Sequence, residues 1–376
     1  MKPAYDLLVV GAGFAGAVLA ERFARVLNQR VLVIDRRPHL GGNAYDCYDS
    51  AGVLIHPYGP HYFRTSSAMV WAYLSVFTAW QHVDYRILSY TDGALWQFPI
   101  NLNTFEQLIG RPATSEEMRT TLSKWRIPIE QPKNSEELIL SRVGRELYEK
   151  FFRNYTRKQW GLDPKDLDPT VCGRIPIRVN RDNRYLTERF QALPQEGYTP
   201  LFQRLLDHPN IEVRLGASFQ NPDHGVTYKR LVYTGPVDAY YNYRFGVLPY
   251  RSLRFETETL EQEFYQPVVQ VNYPNNFEFT RIIEAKHITG QKLPRTTIIR
   301  EYPQAFTLDR EAYYPIPNPA AHAQFAQYAR MMAAEKDVSF VGRLATYRYY
   351  NMDQVVASAL AEFTRLTGIR PAFSRG

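Results

Sequence analysis

The first forty residues constrain the fold of this chain most strongly. An apolar run from Tyr5 to Val10 leads into Gly-Ala-Gly-Phe-Ala-Gly at 11–16, an amphipathic stretch follows, and a second apolar run ends at Asp35. Strand, glycines, helix, strand and acid in this order predict a βαβ unit that binds a dinucleotide. The alternative for the glycines taken alone is an ordinary turn.

Each position in this motif has a physical reason. Gly11 permits the tight turn, Gly13 lets a pyrophosphate approach the backbone, and Gly16 allows the helix to pack closely. The helix N-terminus presents unpaired N–H groups to phosphate. Asp35 can accept the hydroxyls of an adenosine ribose, and its charge would repel a 2′-phosphate.

A second pair of glycines bears on the choice between FAD and NAD. Gly41 and Gly42, followed by Asn43, come soon after Asp35. In many flavoproteins such a pair lets the chain pass close to the cofactor, whereas NAD-binding units usually continue into an ordinary loop and helix. The sequence therefore favours FAD, with a simple turn as the alternative.

Composition narrows the class of protein. A length of 376 residues predicts two or three domains. No stretch is apolar for long enough to span a bilayer, and we expect a cytoplasmic protein. The two cysteines, Cys47 and Cys172, exclude a disulfide framework and a cysteine-rich metal site. The net charge of +7 is dispersed along the chain, so an anionic small substrate explains it as well as nucleic acid does.

Changes of pattern along the chain predict its domains. After about Thr65 the pattern is helical, with a cap signal at 103–104 and a long periodic stretch from Asn134 to Gly161. From about Cys172, and again over 240–302, β-branched and aromatic residues alternate with polar ones. That alternation predicts an antiparallel sheet.

The nucleotide-binding domain is predicted to consist of separated segments. A helix over 198–206 and strands at 211–213 and 230–233 fit it, as does a strand from Val338 to Val341 that a helix start at 351–353 follows. This last helix offers a second N-terminus that suits phosphate.

Arginines, rather than a hydrolytic set, stand out as candidate site residues. The chain has no GxSxG, HExxH or paired-cysteine motif. Arg174, in the proline-bearing segment at 173–178, and Arg281 carry guanidinium groups, which grip phosphate through two parallel hydrogen bonds. Spacing alone does not bring the two together, and a solvated surface position is the alternative for either.

Longer strings of sequence then carry a resemblance to a known family. They extend over nearly the whole chain and are GAGFAGAVLAERFA, VIDRRPHLGGNAYD, YGPHYFRT, NYTRKQWG, GRIPIR, RFQALPQEGYT, FTRIIEAKH and GRLATYRYYNMDQV. In these strings the chain resembles the UDP-galactopyranose mutases. Members of that family have an FAD domain of discontinuous segments, a helical domain and a six-stranded antiparallel sheet, and they are usually dimers.

The resemblance and the pattern together predict an α/β protein with three domains. These are a Rossmann-like FAD-binding domain, a helical-bundle domain and an antiparallel-sheet substrate domain. The FAD-binding domain takes 1–77, 198–239 and 337–376, the helical domain 78–170, and the sheet domain 171–197 and 240–336.

The resemblance also implies a reaction. The protein would be an isomerase that interconverts UDP-galactopyranose and UDP-galactofuranose without net redox change. The reaction would need reduced FAD, whose N5 attacks the anomeric carbon and forms a covalent bond to the sugar while UDP departs and later returns. The expected partners are a UDP-sugar, a cellular reductant of the flavin and a second copy of the chain, with neither nucleic acid nor membrane insertion.

The roles of individual residues follow from the resemblance as well. Arg174 and Arg281 resemble a clamp on the diphosphate, with Trp160 on the hinge side of the loop that carries Arg174. His61 resembles a histidine whose backbone lies beside the flavin ring. Other positions that resemble substrate contacts are Phe151, Phe152, Tyr155, Tyr185, Arg254, Asn272, Glu301, Tyr314 and Tyr349. Positions on FAD-contacting strings are Gly11, Gly13, Phe14, Gly16, Asp35, Arg36, Gly41, Gly42, Asn43, His61, Arg343, Met352 and Asp353.

One position departs from the family pattern. After the sequence at 58–61 the family has an aromatic residue and a histidine, whereas this chain continues with Tyr62, Phe63 and Arg64. Arginine adds length, charge and donors, so it has the reach to bond a 2-acetamido carbonyl, and it resembles the arginine of relatives that accept UDP-N-acetylgalactosamine. The alternative is that Arg64 pairs with a nearby carboxylate or with cofactor phosphate.

Three other functions stay open at the level of sequence. The first is a mutase for another nucleotide-sugar, with a deoxyhexose or a pentose. The second is an FAD-dependent oxidoreductase of the amine oxidase type, which shares the glycine and acid arrangement. The third, a noncatalytic flavin or nucleic-acid binding module, rests only on the basic charge.

Overall fold

The computed structural model describes residues 3–220, 225–370 and 373. Over these residues the strands are β1 (Ala4–Val10), β2 (Val31–Asp35), β3 (Cys47–Tyr48), β4 (Leu54–Ile55), β5 (Phe63–Thr65), β6 (Trp80–Gln81), β7 (Ile87–Thr91), β8 (Ala94–Phe98), β9 (Phe190–Pro194), β10 (Ile211–Leu215), β11 (Thr227–Tyr233), β12 (Tyr250–Leu260), β13 (Gln270–Asn272), β14 (Arg281–Glu284), β15 (Thr296–Ala305), β16 (Tyr314–Pro315) and β17 (Val338–Phe340). The α-helices are α1 (Phe14–Leu27), α2 (Ala68–Leu74), α3 (Leu102–Ile109), α4 (Ser115–Trp125), α5 (Ser135–Tyr148), α6 (Asn154–Trp160), α7 (Thr170–Gly173), α8 (Tyr198–Leu206), α9 (Val237–Tyr240), α10 (Lys286–Thr289), α11 (Pro319–Ala334) and α12 (Met352–Thr367). Short 3₁₀ helices lie at Gly42–Ala44 and Pro164–Asp166, and a π-helical turn lies at Glu149–Arg153.

A parallel sheet forms the nucleotide-binding part. Within the described residues its strand order is β10-β2-β1-β11-β17, and every neighbouring pair is parallel. The central strands β1 and β2 are almost wholly apolar, as strands covered on both faces are. Because the strands come from separated parts of the chain, the structure confirms the prediction of a Rossmann-like domain built from discontinuous segments.

The glycines at the end of β1 are required by space and by backbone angle. Gly11 has a φ of +106°, which side chains rarely tolerate. A Cβ on Gly16 would lie 1.9 Å from the carbonyl oxygen of Gly11, so only glycine lets α1 approach the strand this closely. Every residue of α1 from Phe14 to Glu21 is buried, including Val18 and Leu19 at 0% exposure, as in a helix enclosed on all sides.

The second large sheet differs from the one expected. Among the residues that the structure describes it has seven strands rather than six, in the order β16-β12-β15-β14-β13-β7-β8. All its neighbours are antiparallel except β13 and β7, which run parallel.

Two of these strands come from the segment 78–170, which was predicted to be helical. Strands β7 and β8 occupy 87–98, so the start of the predicted helical domain is wrong. In β7, the buried residues Ile87, Ser89 and Thr91 alternate with half-buried ones, as in a strand. The alternating segment has only five residues, so it did not stand out beside the longer helical pattern that follows.

The prediction of sheet structure from Cys172 onward is also wrong for its first part. Residues 174–189 are mostly extended loop, with one isolated bridge between Arg86 and Arg184. Strand β9 does follow, but it pairs with β5 and β6 and not with the seven-stranded sheet. The proline and the many charged residues of this loop leave it few apolar positions for a sheet face.

The helical part presents one face to the cavity described below. Its first cap is Asn101, whose side chain accepts from Thr104 N–H, and not the predicted 103–104. Asn134 caps α5 as predicted, but the periodic stretch it opens is broken at Gly144 and again at the π-helical turn before α6. No helix within 3–220 or 225–370 has both the length and the apolar character that crossing a membrane requires.

Candidate active site

A cavity of about 1530 Å³, including the part open to solvent, lies where the two large sheets and the helical part meet. It is lined from the nucleotide-binding side, from α6, from the loop after α7 and from the seven-stranded sheet. The predicted site residues that line it are Asn43, His61, Arg64, Phe151, Phe152, Tyr155, Trp160, Arg174, Tyr185, Asn272, Arg281, Tyr314, Arg343, Tyr349 and Met352. The fold thus brings together positions up to three hundred residues apart.

Arg281 is held in place by a buried carboxylate. It begins β14 and lies directly opposite Glu301 of β15, and its Nε and Nη2 both donate to Glu301 Oε2, at 2.9 and 2.6 Å. Glu301 is 0% exposed and Arg281 is 18% exposed. Burial lowers the pKa of Arg281, but Glu301 raises it by more, so the net shift is upward and the cation persists. Glu301 therefore stands behind Arg281 as its support and is not part of the cavity wall.

Arg174 reaches the same cavity from the opposite side. It directly follows α7, and its guanidinium lies over the ring of Tyr349, 4.5 Å from the ring centre. Burial lowers the pKa of Arg174, yet the phenols of Tyr349 and Tyr185 raise it by more. For Tyr349, burial raises the pKa but Arg174 and Arg343 lower it by more. This part of the cavity is therefore strongly electropositive and suits an anion.

Aromatic residues line the region between α6 and β8. The π-helical turn carries Phe151 and Phe152, whose ring centres lie 6.0 and 5.9 Å from that of Phe98. Tyr185 stacks on the same Phe98, at 6.4 Å. Phe151 and Phe152 are only 3% and 2% exposed, so packing in the core accounts for most of their surface. π-Helical turns occur often at functional sites because they turn side chains off the regular helical face.

A second aromatic group lies near Arg174. Trp160, at the end of α6, has its ring centre 5.9 Å from Tyr314 and 5.6 Å from Tyr349. Burial raises the pKa of Tyr314 to about 12, with Glu301 adding to the effect. Tyr314 therefore keeps its proton at neutral pH and is available as a hydrogen-bond donor.

His61 is neutral and its tautomer is set by the main chain. Its Nδ1 lies 2.8 Å from the carbonyl oxygen of Gly59, to which it donates, and this leaves Nε2 as an acceptor. Its backbone N–H donates to Nδ1 of His56 at 3.1 Å. Burial, with a further contribution from the neighbouring His56, lowers the pKa of His61 to about 3. It is not an acid at neutral pH.

Arg64 lines the cavity but is already engaged. Its Nη1 lies 3.3 Å from Glu188 Oε1, and its Nη2 donates to Asn351 Oδ1 at 3.1 Å. The structure therefore confirms the ion pair with a nearby carboxylate that the sequence left as an alternative. Asn351 is the N-cap of α12, so Arg64 ties this helix to the segment before β9.

The glycine segments fit a bound dinucleotide. Gly42 has a φ of +56°, and a Cβ on it would lie 3.2 Å from Gly13 Cα, so glycine at position 42 lets the two turns meet closely. Gly13 is the N-cap of α1 and leaves the helix start without a side-chain cap. Asp35 accepts from the backbone N–H groups of Ala12 at 2.8 Å and Arg37 at 2.9 Å, which fixes the phosphate-binding turn. This arrangement leaves the positive end of α1 open to a pyrophosphate.

Several predicted residues lie outside the cavity. Arg254 is on the outer face of β12, 43% exposed, where it pairs with Glu256 and covers the ring of Tyr302, so its predicted place in the substrate cavity is wrong. Successive side chains of a strand point to opposite faces of the sheet, and the neighbouring Leu253 points to the buried face. Arg36 is also exposed and pairs with Glu311.

Other predicted cofactor positions do not line the cavity. Phe14 packs into the core, with its ring centre 4.6 Å from that of Phe202. Asp353, in the first turn of α12, has its pKa raised by burial. The remaining positions of this kind are Gly11, Gly13, Gly16, Asp35, Gly41 and Gly42.

The structure adds cavity residues that the sequence did not reveal. They are Tyr58, Tyr85, Thr156, Gln159, Gln270, Tyr313 and Asn351, among others. Tyr85 precedes β7, a strand that was not predicted, whereas Gln270 lies in the predicted sheet segment 240–302 without being singled out. Tyr58, Thr156, Gln159 and Asn351 lie in the strings that carry the resemblance, and no motif marks Tyr313.

A Rossmann-like sheet with an open helix N-terminus, beside a cavity that joins arginines to stacked aromatic rings, defines a dinucleotide-dependent enzyme acting on an anionic substrate. Comparison with known families narrows this class. Residues 150–349 match the family model described as UDP-galactopyranose mutase, and residues 9–77 match an NAD(P)-binding Rossmann-like domain. The chain belongs to the UDP-galactopyranose mutase family of flavin-dependent isomerases.

Individual relatives agree with this assignment. The chain is 37% identical to a probable UDP-galactopyranose mutase of Klebsiella pneumoniae, over 94% of this chain and 93% of the relative. It is 35% identical to a dTDP-fucopyranose mutase of Escherichia coli, over 94% and 96%. A crystal structure of reduced UDP-galactopyranose mutase has the same fold, with a TM-score of 0.76 at 16% identity, over 97% of this chain and 94% of that one.

Proposed function

We propose that the protein interconverts UDP-galactopyranose and UDP-galactofuranose and that it does so only with reduced FAD. The observation that carries this proposal is the meeting of Arg174 and Arg281 in one cavity that also borders the dinucleotide-binding turns. FAD held at the turns of Gly13 and Gly42 would supply, once reduced, a nucleophile for the anomeric carbon. The residues of the chain bind and orient the nucleotide-sugar, and they exclude water from the site.

Two arginines hold the diphosphate that leaves and returns. Arg174 and Arg281 stay charged, and guanidinium groups bind phosphate oxygens with favourable geometry and charge. Holding the UDP in place makes its return effectively unimolecular. Tyr314, protonated at neutral pH, donates a further hydrogen bond to the same group, and Tyr349 lies beside it.

The aromatic region between α6 and β8 is the proposed uridine site. Uracil stacks on aromatic rings, and Tyr155 and Tyr185 offer phenol groups to the ribose and phosphate. Phe151 and Phe152 support those rings from the core. His61 lies on the proposed flavin side, where its neutral ring and main chain shape the pocket without supplying a proton.

Three nucleotide-sugars are candidates for the substrate. Arg64 forms an ion pair with Glu188, so its guanidinium is already engaged and is less available to an acetamido group of the sugar. The dTDP-fucopyranose relative favours a second candidate, a nucleotide-sugar with a deoxyhexose. UDP-N-acetylgalactosamine is a third. Membership of the family removes the amine oxidase type and the nucleic-acid module from consideration.

One experiment tests the function and ranks the sugars. The purified flavoprotein is reduced with dithionite and incubated separately with UDP-galactose, UDP-N-acetylgalactosamine and dTDP-fucose, and furanose formation is followed by HPLC. Turnover of UDP-galactose by reduced but not oxidised protein supports the proposal. If furanose forms from dTDP-fucose alone, then dTDP-fucose and not UDP-galactose is the substrate. Equal turnover by the oxidised protein would overturn the requirement for reduced FAD.

A further inference from the structure

Three buried polar side chains form a hydrogen-bonded chain along one wall of the cavity. The Tyr85 hydroxyl donates to Gln270 Oε1 at 2.9 Å, and Gln270 Nε2 donates to Asn272 Oδ1 at 2.7 Å. The three residues are 5%, 3% and 7% exposed, and all three line the cavity. Buried polar groups are costly unless paired, so a complete chain of this kind fixes its members.

The two sheet strands explain why this chain ends beside Arg281. Gln270 and Asn272 are two residues apart on β13, so their side chains share one face. The parallel pairing of β13 with β7 places Gln270 opposite Ile87, two residues after Tyr85. On its other side, β13 pairs with β14, and Asn272 lies directly opposite Arg281.

The direction of the hydrogen bonds determines what Asn272 presents to a ligand. Its carbonyl oxygen is occupied by Gln270, and within 3–220, 225–370 and 373 its amide nitrogen has no hydrogen-bond acceptor. Asn272 therefore offers a donor to the cavity, next to the Arg281 cation. Among the described residues, only the Tyr85 hydroxyl donates to Gln270 Oε1, so without it the Gln270 amide is free to turn over and reverse Asn272 with it.

We propose that Tyr85 is a positioning residue for nucleotide binding. Acting through Gln270, it holds the Asn272 amide nitrogen toward the diphosphate oxygens that Arg281 grips. This inference rests on the proposed function, since it takes a nucleoside diphosphate as the ligand. Tyr85 thus affects nucleotide binding although its hydroxyl donates to Gln270 and not to the ligand.

A double-mutant cycle tests whether Tyr85 acts through Asn272. The Kd of UDP is measured by calorimetry on FAD-loaded wild type, Tyr85→Phe, Asn272→Ala and the double variant. Loss of one buried hydrogen bond predicts UDP binding about five-fold weaker in Tyr85→Phe. In the Asn272→Ala background, the same change should cost nothing further, because the group that it orients is gone.

Controls separate positioning from damage to the fold. Gln270→Leu breaks the same chain at its middle and should weaken UDP binding as Tyr85→Phe does. Tyr90→Phe, on β7 but packed against Tyr273 and Phe277, should leave the Kd unchanged. Wild-type affinity in Tyr85→Phe, or independent effects that multiply in the double variant, would overturn the inference. Failure of the wild type to bind UDP would instead count against the proposed function.

Discussion

At the scale of single residues, the cavity depends on how its charged groups are supported. Arg281 is oriented by Glu301 at 2.6 Å, and Arg174 is placed against the ring of Tyr349. The sequence predicted both arginines as a phosphate clamp, but only the resemblance to a family paired them, since spacing does not encode convergence. The same reasoning misplaced Arg254, which the strand period puts on the outer face.

Removing either arginine should remove stabilisation of the departing diphosphate. We expect Arg174→Ala and Arg281→Ala each to lower kcat/KM of the reduced enzyme by about 100-fold or more. Steady-state HPLC assays measure this. Arg254→Ala removes a charge of the same kind from the outer face and should leave kcat/KM within about two-fold of wild type. Equal losses in all three variants would contradict the placement of the cavity.

Glu301 should matter for stability as well as for function. In Glu301→Gln the buried Arg281 cation loses its counter-charge, and we expect the free energy of unfolding to fall by about 2 kcal/mol. Urea unfolding of the FAD-loaded protein, followed by circular dichroism, gives this value. An unchanged unfolding free energy would show that Arg281 does not depend on the carboxylate.

His61 should contribute to loss of stability in acid. Its pKa of about 3 in the folded protein lies below the ordinary value of 6.5, so the unfolded chain binds the proton more readily. Stability is then lost as the pH falls from 6.5 toward 3, by up to about 1.4 kcal/mol per pH unit. Unfolding measured from pH 7 to pH 5 should show a smaller slope for His61→Asn than for wild type. Identical slopes would contradict the burial of a neutral ring.

At the scale of secondary-structure elements, runs of strand, turn and helix signals predicted the structure well, whereas single short strands were predicted less well. The βαβ unit, the helix at 198–206 and the strand near 338 were recognisable because strand, turn and helix signals follow one another within a few residues. Strand β7 was missed although its partner β8 follows across a short turn, and β13 and β14 fall within 240–302, which was predicted as antiparallel sheet. The sequence did not predict the parallel pairing of β13 with β7, which come from distant parts of the chain. Their pairing is decided by tertiary contacts, which no short window of sequence contains.

Gly144 is the element-scale position that most constrains the aromatic face. It has a φ of +79°, and a Cβ there would lie 2.3 Å from the carbonyl oxygen of Trp125. We expect Gly144→Ala to lower the free energy of unfolding by about 3 kcal/mol and to weaken UDP binding, because the helix that leads into the π-helical turn would move.

A glycine in open space gives the cost of an ordinary left-handed backbone angle for comparison. Gly110 has a φ of +71° but open space around it, so Gly110→Ala should cost only about 1 kcal/mol and leave UDP affinity unchanged. Denaturant unfolding and calorimetry with UDP measure both quantities. Equal destabilisation at the two sites would mean that neither the contact with Trp125 nor the extended ψ of −178° at Gly144 adds to the cost of a positive φ.

At the scale of the whole molecule, the cavity exists because separated segments meet. The sequence predicted a discontinuous nucleotide-binding domain, and the parallel sheet of strands from separated segments confirms it. The remaining cavity residues, such as Tyr85 and Gln270, carry no signal of their own, since a buried tyrosine or glutamine is defined by its neighbours. The dimer and the cellular reductant stay predictions, and light scattering of the purified flavoprotein measures the first.

The central claim is that two arginines from distant segments hold one diphosphate. A crystal structure of the reduced protein with UDP tests it most directly. In that structure we expect the diphosphate to lie between the guanidinium groups of Arg174 and Arg281 and the uracil to lie between α6 and β8. A diphosphate bound elsewhere, or held with either guanidinium turned away from it, would contradict the account.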